Sequence, residues 1–484
     1  MGTLVQRLFR IKSVTSLQAE ASGEHPLKRA LGPLHLIFLG VGCAIGTGIF
    51  VLTGTVAAQN AGPGIILSFV LAGTASLFAA LCYSEFASLV PVAGSAYTYS
   101  YATLGEIVAW IIGWNLILEY AVGGICVSIG WSGYVVSLLD QLGLHLPATL
   151  TAARGTPVVL ADGTHAAALL NIPAVFITAA VTAILIVGIK ESARFNNAIV
   201  LVKLAVILLF IFGAAHAVVP AHWHPFIPPN TGLPEHFGWT GVVAGAGIVF
   251  FAYVGFDAVT TAAQESKNPQ RDMPIGLLGS LLVITVLYIA VAAVATGVVP
   301  YQDLDVPAPI ADAASRAGIG WMATLIKIGA IAGLSSVILV LLLGQSRVLW
   351  NMARDGLLPP FVSRVHPRFQ TPWITTLLTG LGVAVFSALF TVREAGALCS
   401  IGTLLAFTIV NVAVLVLRIK EPHHKRAFKT PLVWIVAPLG ALSSLYLMIA
   451  LPWVTWMRLI VWSAVGVAIY LAYGIRHSKL AKKT

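Results

Sequence analysis

Three ionisable side chains, Glu119, Lys203 and Asp257, stand deep in otherwise apolar stretches of the chain. Each costs at least about 2.5 kcal/mol at the centre of a bilayer and is functional by default there. Counted from a helix start near Ala193, Lys203 lies roughly 15 Å into its span at 1.5 Å per residue, too deep to snorkel easily. Desolvation disfavours a charged ammonium, so Lys203 is a candidate proton carrier. A permanent ion pair with Glu119 or Asp257 is the alternative. Ser335 and Ser336 add another, since their hydroxyls and unwound backbone carbonyls could hold sodium where an ammonium otherwise serves. Glu85 and Lys327 sit nearer to span ends and read as structural or snorkelling residues.

Two glycine-rich apolar segments, Gly40 to Phe50 and Gly247 to Asp257, are the elements that must position a ligand. Glycine costs roughly 1 kcal/mol against alanine inside a helix, and irregular backbone at membrane depth survives only around a polar cavity. Paired broken helices of this kind belong to secondary transporters. The break at Gly46, Thr47 and Gly48 opens backbone N–H groups at the positive start of a half-helix, which suits a carboxylate. Carbonyls near Ala44, and from Phe250 to Val254, suit a cation. A zwitterionic amino acid satisfies both ends, with Phe251 placed to cover it.

The surrounding sequence is that of an all-α integral membrane protein. Of 484 residues, 58% are hydrophobic and 10% charged, against about 25% charged in soluble domains. Twelve stretches are long enough to cross the hydrocarbon layer: 33–58, 64–90, 107–138, 167–188, 194–219, 239–263, 275–299, 322–346, 373–392, 396–418, 431–450 and 453–475. Positive charge is retained on the cytoplasmic side. With both termini inside, only Arg154, Arg316, Arg393 and Arg458 fall on or near the outer face, and Lys203 and Lys327 fall within spans. The basic residues are divided among loops that face anionic headgroups, so the net charge of +10 is no sign of nucleic acid. The first 32 residues lack the pattern of a cleaved signal, and the four cysteines all lie in spans, which excludes a secreted disulfide framework.

Spans 1 and 6 each carry a Gly-x-Gly, Gly40/Gly42 and Gly245/Gly247, and then a break. Five spans separate them, and an odd number per repeat inverts the second copy. The expected organisation is a cytoplasmic segment 1–32, a first repeat 33–219, a second repeat 239–418, two peripheral spans in 431–475 and a cytoplasmic tail 476–484. Helices 1 and 6 break at mid-membrane.

At these residues the sequence resembles the amino acid, polyamine and organocation (APC) superfamily, specifically the bacterial members of its cationic amino acid transporter family. Beside the two breaks, the likeness is carried by the runs Tyr83 to Tyr99, Gly188 to Asn196, Asn268 to Pro274 and Ala353 to Pro359. The resemblance implies an APC-type five-plus-five inverted repeat with spans 11 and 12 peripheral, in the plasma membrane, and proton-coupled uptake (symport) of L-amino acids. It implies substrate contacts at Ala44, Ile45, Gly46, Thr47, Gly48, Phe250, Phe251 and Val254. It implies proton coupling through Lys203, in place of a sodium site, with Glu119 and Asp257 as the acids of spans 3 and 6. Leu341 stands where the side-chain pocket should close, and a branched apolar residue there leaves little room for a guanidinium. Small neutral substrates such as alanine are therefore expected over arginine or lysine. Antiport, sodium coupling and a transport-like nutrient sensor remain alternatives, as does an association with a small single-span membrane partner. With no mid-span histidine and no paired ligands there is no basis for a metal site, a cofactor or an enzyme.

Overall fold

The computed structural model describes residues 8–11, 31–89, 95–160, 163–188, 193–233, 235–422 and 426–478. Most of the 1–32 segment, the end of the 476–484 tail and parts of the runs 83–99 and 188–196 lie outside the described residues.

The described chain is helical apart from one small hairpin. In chain order the helices are α1 (Pro33–Ala44), α2 (Ile65–Leu89), α3 (Ser95–Thr103), α4 (Glu106–Gln141), α5 (Ile172–Val187), α6 (Ala193–Ala214), α7 (Gly238–Val249), α8 (Pro269–Val298), α9 (Pro309–Arg316), α10 (Gly320–Arg354), α11 (Trp373–Ser387), α12 (Val392–Lys420), α13 (Val433–Ile449) and α14 (Trp453–Ile469). Among the described residues, seven helical stretches are long and apolar enough to cross a membrane by length and composition, and five apolar helices of 10–17 residues, at α1, α5, α7, α11 and α13, accompany these. With no water in the hydrocarbon layer, helices are the open-ended way for a chain to satisfy its own backbone there.

Local sequence sets where these helices start and stop. Proline occupies the first turn of α1, α5, α8 and α9, where its missing N–H would have no helical partner anyway. Thr391 and Glu394 close a reciprocal capping box at the head of α12, satisfying two otherwise orphaned donors. α1 stops at Ala44 because Ile45 turns extended (φ −71°, ψ 98°), and the chain resumes as a π-helical turn, Gly48–Leu52. α7 tightens into a 3₁₀ turn, Phe250–Tyr253, then passes through Gly255 at φ 104° into a second 3₁₀ stretch, Phe256–Glu265.

Two groups of helices pack around these irregular segments. α8 lies against α1 and α2, and α2 against α7; α4 lies against α10 and α12, and α5 against α11. α6 bridges the groups by touching α1 and α10. At one end of the bundle Glu85 is fully buried on α2, ion-paired to Arg418 Nε of α12 at 2.8 Å and Arg426 Nε at 3.0 Å, and accepts hydrogen bonds from Arg418 Nη2 and the Thr430 amide, each at 2.8 Å. Glu85 is thus held by partners on two other segments of the chain rather than snorkelling to the surface.

α14 is strapped to α4 by indole-to-carbonyl bonds. Trp110 donates to Gly466 at 2.9 Å, Trp114 to Trp462 at 2.8 Å, and Trp462 returns one to Trp114 at 3.0 Å. Gly466 leaves room for the Trp114 ring, which a Cβ would strike. The outward sides of α13 and α14 are apolar, with Leu442, Ile449 and Trp453 exposed.

Two of the connections between the expected spans carry structure of their own. In 139–166, Pro157–Val159 pairs antiparallel with His165–Ala167, turned by Gly163 at φ 81°. In 300–320, α9 forms a short amphipathic helix with Ile310, Ala311, Ala313 and Ala314 buried.

Candidate functional site

The two irregular segments meet face to face. A Cβ on Gly48 would collide with the backbone of Ala252, and one on Gly255 would come within 3.2 Å of the Cys43 carbonyl carbon. Glycine is needed at both for this approach, and at Gly255 for the left-handed backbone as well. Among the described residues, no backbone carbonyl accepts from the N–H groups of Gly46, Thr47 or Gly48. These donors sit at the head of the π-helical turn, where the backbone dipole favours an anion.

The carbonyl ends are held by two long side chains. Lys203, on α6 and 1% exposed, donates from Nζ to the Gly42 carbonyl at 2.9 Å. Its stem lies along Gly333 of α10, where a Cβ would stand 2.8 Å from Lys203 Cγ. Among the described residues it makes no ion pair with Glu119 or Asp257; its partner is the end of α1. Tyr288 of α8 reaches both breaks at once, its hydroxyl lying 2.9 Å from the Ala44 carbonyl and 2.7 Å from that of Ala252.

Beside this junction is a narrow cavity of about 20 Å³, room for roughly one water. Ala44, Gly46, Phe251, Val254 and Leu341 line it, so five of the residues expected to touch substrate come together there. Cys43 on α1, Gly123 and Val127 on α4, and Val337 on α10 complete the wall. The wall opposite the breaks is entirely apolar. Val337, Val127 and Tyr288 were not singled out from sequence, because one aliphatic or aromatic residue in an apolar span looks like its neighbours. Gly123 carried a faint signal as half of a Gly123–Gly124 pair.

Other expected residues fall outside this wall. Phe250 packs edge-on against Phe407, with ring centroids 5.4 Å apart. Thr47 faces Gly130, whose Cβ would lie 2.6 Å from Thr47 Oγ1. Ile45 is fully buried in the core. Ser335 accepts from Trp131 Nε1 at 2.9 Å and donates to the Ile331 carbonyl at 2.8 Å, while Ser336 is half-buried beside it. Glu119 and Asp257 are both buried, and the Glu119 carbonyl accepts from Cys399 Sγ at 3.3 Å.

The chain resembles known proteins over nearly its whole length. A family model described as amino acid permease matches residues 31–473. The chain is 50% identical over 474 residues to the branched-chain amino acid permease BcaP of Bacillus subtilis, covering 98% of this chain and 99% of that one. It is 47% identical over 475 residues to the methylthioribose transporter of the same organism, with the same coverage. Over 425 residues it is 40% identical to the vacuolar cationic amino acid transporter 2 of Arabidopsis thaliana, covering 87% of this chain and 64% of that protein. These relatives are transporters and not enzymes. Together with its apolar helices they make this a multi-pass membrane protein, and the chain belongs to the amino acid permease family of the APC superfamily.

Proposed function

We propose that the protein takes up neutral aliphatic L-amino acids, from alanine to branched-chain sizes, together with protons. The observation that carries the reading is the Lys203 ammonium on the Gly42 carbonyl, at the end of α1 beside the break. A lysine there supplies the positive charge that a bound sodium ion would otherwise supply, and it can lose and regain a proton. Protonated, it holds the end of α1 by a charge-assisted bond; deprotonated, its neutral amine holds that end only weakly.

The substrate carboxylate is read onto the N–H groups of Gly46, Thr47 and Gly48, and its ammonium onto carbonyls of the Phe250–Val254 turn. The side chain then faces Gly123, Val127, Val337 and Leu341. Nothing in that wall solvates a guanidinium or ammonium, whose burial without a partner is costly. An apolar wall of this kind agrees with the branched-chain name of one relative and sets arginine and lysine aside. Admission of substrate requires Phe251, Val337 or Leu341 to move, since the cavity is far smaller than any amino acid.

In this reading the seven long and five shorter apolar helices make twelve crossings. Residues 33–219 and 239–418 are inverted repeats, and 431–475 is peripheral. Both termini lie in the cytoplasm and the protein sits in the plasma membrane. Glu119 and Asp257 are the next proton sites if Lys203 proves structural.

Uptake of a panel of labelled amino acids into proteoliposomes, with pH and sodium gradients imposed separately, tests the reading. Accumulation of alanine, valine or leucine should follow the pH gradient and ignore sodium. Accumulation that needs inward sodium and persists without a pH difference would refute proton coupling. Leu341→Ser, by enlarging and wetting the wall, should raise competition by arginine and lysine relative to alanine; an unchanged profile would show that Leu341 does not contact the substrate side chain.

A further inference from the structure

A second cavity, of about 300 Å³, opens between the end of α4, the helix α9 and the start of α10. That is the lower end of the range in which small-molecule sites fall. Its wall carries both signs of charge, Lys327 on α10 and Asp312 on α9, with Ser137 and Gln141 of α4 and Ser315 of α9. Lys327 lies fourteen residues before Leu341 on the same helix, roughly 21 Å away at 1.5 Å per residue. The cavity is therefore separate from the central cleft. By the charge asymmetry of the loops it faces outside.

The hydrogen-bond inventory leaves capacity for a ligand. Lys327 Nζ donates to the Ser137 carbonyl at 3.0 Å and to Gln141 Oε1 at 2.9 Å, which uses two of an ammonium's three donors. Gln141 is oriented by its own bond to Thr324 Oγ1 at 2.6 Å, so the lysine is held in place. Asp312 is ion-paired to Arg316, with Nε 2.8 Å from Oδ2, and a carboxylate has about four acceptor positions. Arg316 is in turn shared with Asp303 at 3.0 Å. Ala311, Gly320 and Ala323 line the remainder with small apolar surface.

We propose that this cavity is a second, outward-facing site for an amino acid zwitterion, with Lys327 taking its carboxylate and Asp312 its ammonium. The proposal rests on the amino acid reading above. An ion of one sign would meet a like charge across the cavity, whereas a zwitterion meets a partner at each end. α9 also connects the site to the central break. Its first turn lies over Gly54, where a Cβ would strike Pro309. α9 also packs on the π-helical turn Gly48–Leu52, whose Phe50 carbonyl accepts from the Tyr134 hydroxyl at 2.9 Å. An occupant bridging α9 to α10 thus holds the cap above the outer half of the broken helix, and it is the place where substrate waits before the cleft opens.

Equilibrium binding of labelled L-leucine to the full chain in nanodiscs decides the matter. Two equivalents per chain are expected for the wild type. Lys327→Gln and Asp312→Asn should each lose one, and Ser315→Trp should lose the same one by filling the cavity without removing either charge. Gly48→Val, which obstructs the central break, should keep one equivalent that disappears on adding Lys327→Gln. A wild type that binds a single equivalent, all of it lost in Gly48→Val, would overturn the outer site while leaving the central reading intact. Failure of every amino acid to bind the wild type would remove the amino acid reading itself, and this site with it.

Discussion

Lys203 carries the sharpest residue-scale expectation, because its ammonium touches the end of α1 while the proposed carboxylate contacts are backbone N–H groups a turn away. Lys203→Ala leaves those N–H groups in place and removes the exchangeable charge. It should keep measurable substrate binding but lose proton-driven accumulation, whereas Gly48→Val should lose both central binding and uptake. Scintillation proximity binding beside proteoliposome uptake checks the pair; wild-type accumulation by Lys203→Ala would reduce the lysine to a structural prop for α1. Lys203, Glu119 and Asp257 were legible in one sequence because a charge in an apolar run is expensive enough to need a reason. The partner of the lysine was not. Both carboxylates were plausible on charge alone, and only the crossing of α6 over Gly42 and Gly333 selects a carbonyl. Tyr288 and Val337 gave no signal, since their roles depend on which neighbouring backbone they reach.

At the scale of elements, both breaks were legible from glycine placed where a helix interior should be. Gly255 tests the backbone requirement most directly. Alanine there meets a left-handed conformation costing about 1–2 kcal/mol and a Cβ 3.2 Å from the Cys43 carbonyl carbon. Gly255→Ala should lower the unfolding temperature of the detergent-solubilised protein and weaken substrate binding; unchanged values for both would show that the turn relaxes without effect. The hairpin of 157–167 and the helix α9 escaped notice for a common reason. Each is short, and a search for apolar stretches long enough to cross a bilayer passes over a three-residue strand or an eight-residue amphipathic helix. α9 had its own signature in Pro309 followed by Ala-rich sequence, and the proposed outer site depends on it.

For the whole molecule, Glu85 joins α2 and α12 to the segment before α13. Removing one partner of a buried ionic group typically costs about 3–5 kcal/mol because it strands the other charges. Glu85→Gln leaves Arg418 and Arg426 without their carboxylate, so a marked fall in unfolding temperature is expected, read by tryptophan fluorescence during heating; a wild-type temperature would mean that the guanidinium groups find other acceptors. Orientation is a separate expectation. Val159, in the hairpin, and Val365, between α10 and α11, are both exposed. A cysteine at 159 should react with a membrane-impermeant maleimide on intact cells, and one at 365 only after permeabilisation. The reverse pattern would invert the topology drawn from the basic loops. Charge counting gave that topology without any knowledge of packing, whereas the division into two packed groups of helices needed the structure, since no single sequence reveals which apolar faces meet.

The Tyr288 hydroxyl has one hydrogen and serves two carbonyls, Ala44 in the first break and Ala252 in the second. Were those segments to part during transport, one carbonyl would be stranded in a dry interior. The economical course is for them to travel together. On the proposed reading, a zwitterion held between them would be a passenger in a single body, gripped by its backbone throughout. On the same reading its side chain instead faces α4 and α10, the shore past which that body would move. Discrimination among amino acids would consequently be exerted in passage rather than at boarding: poor substrates should bind, compete and yet fail to cross.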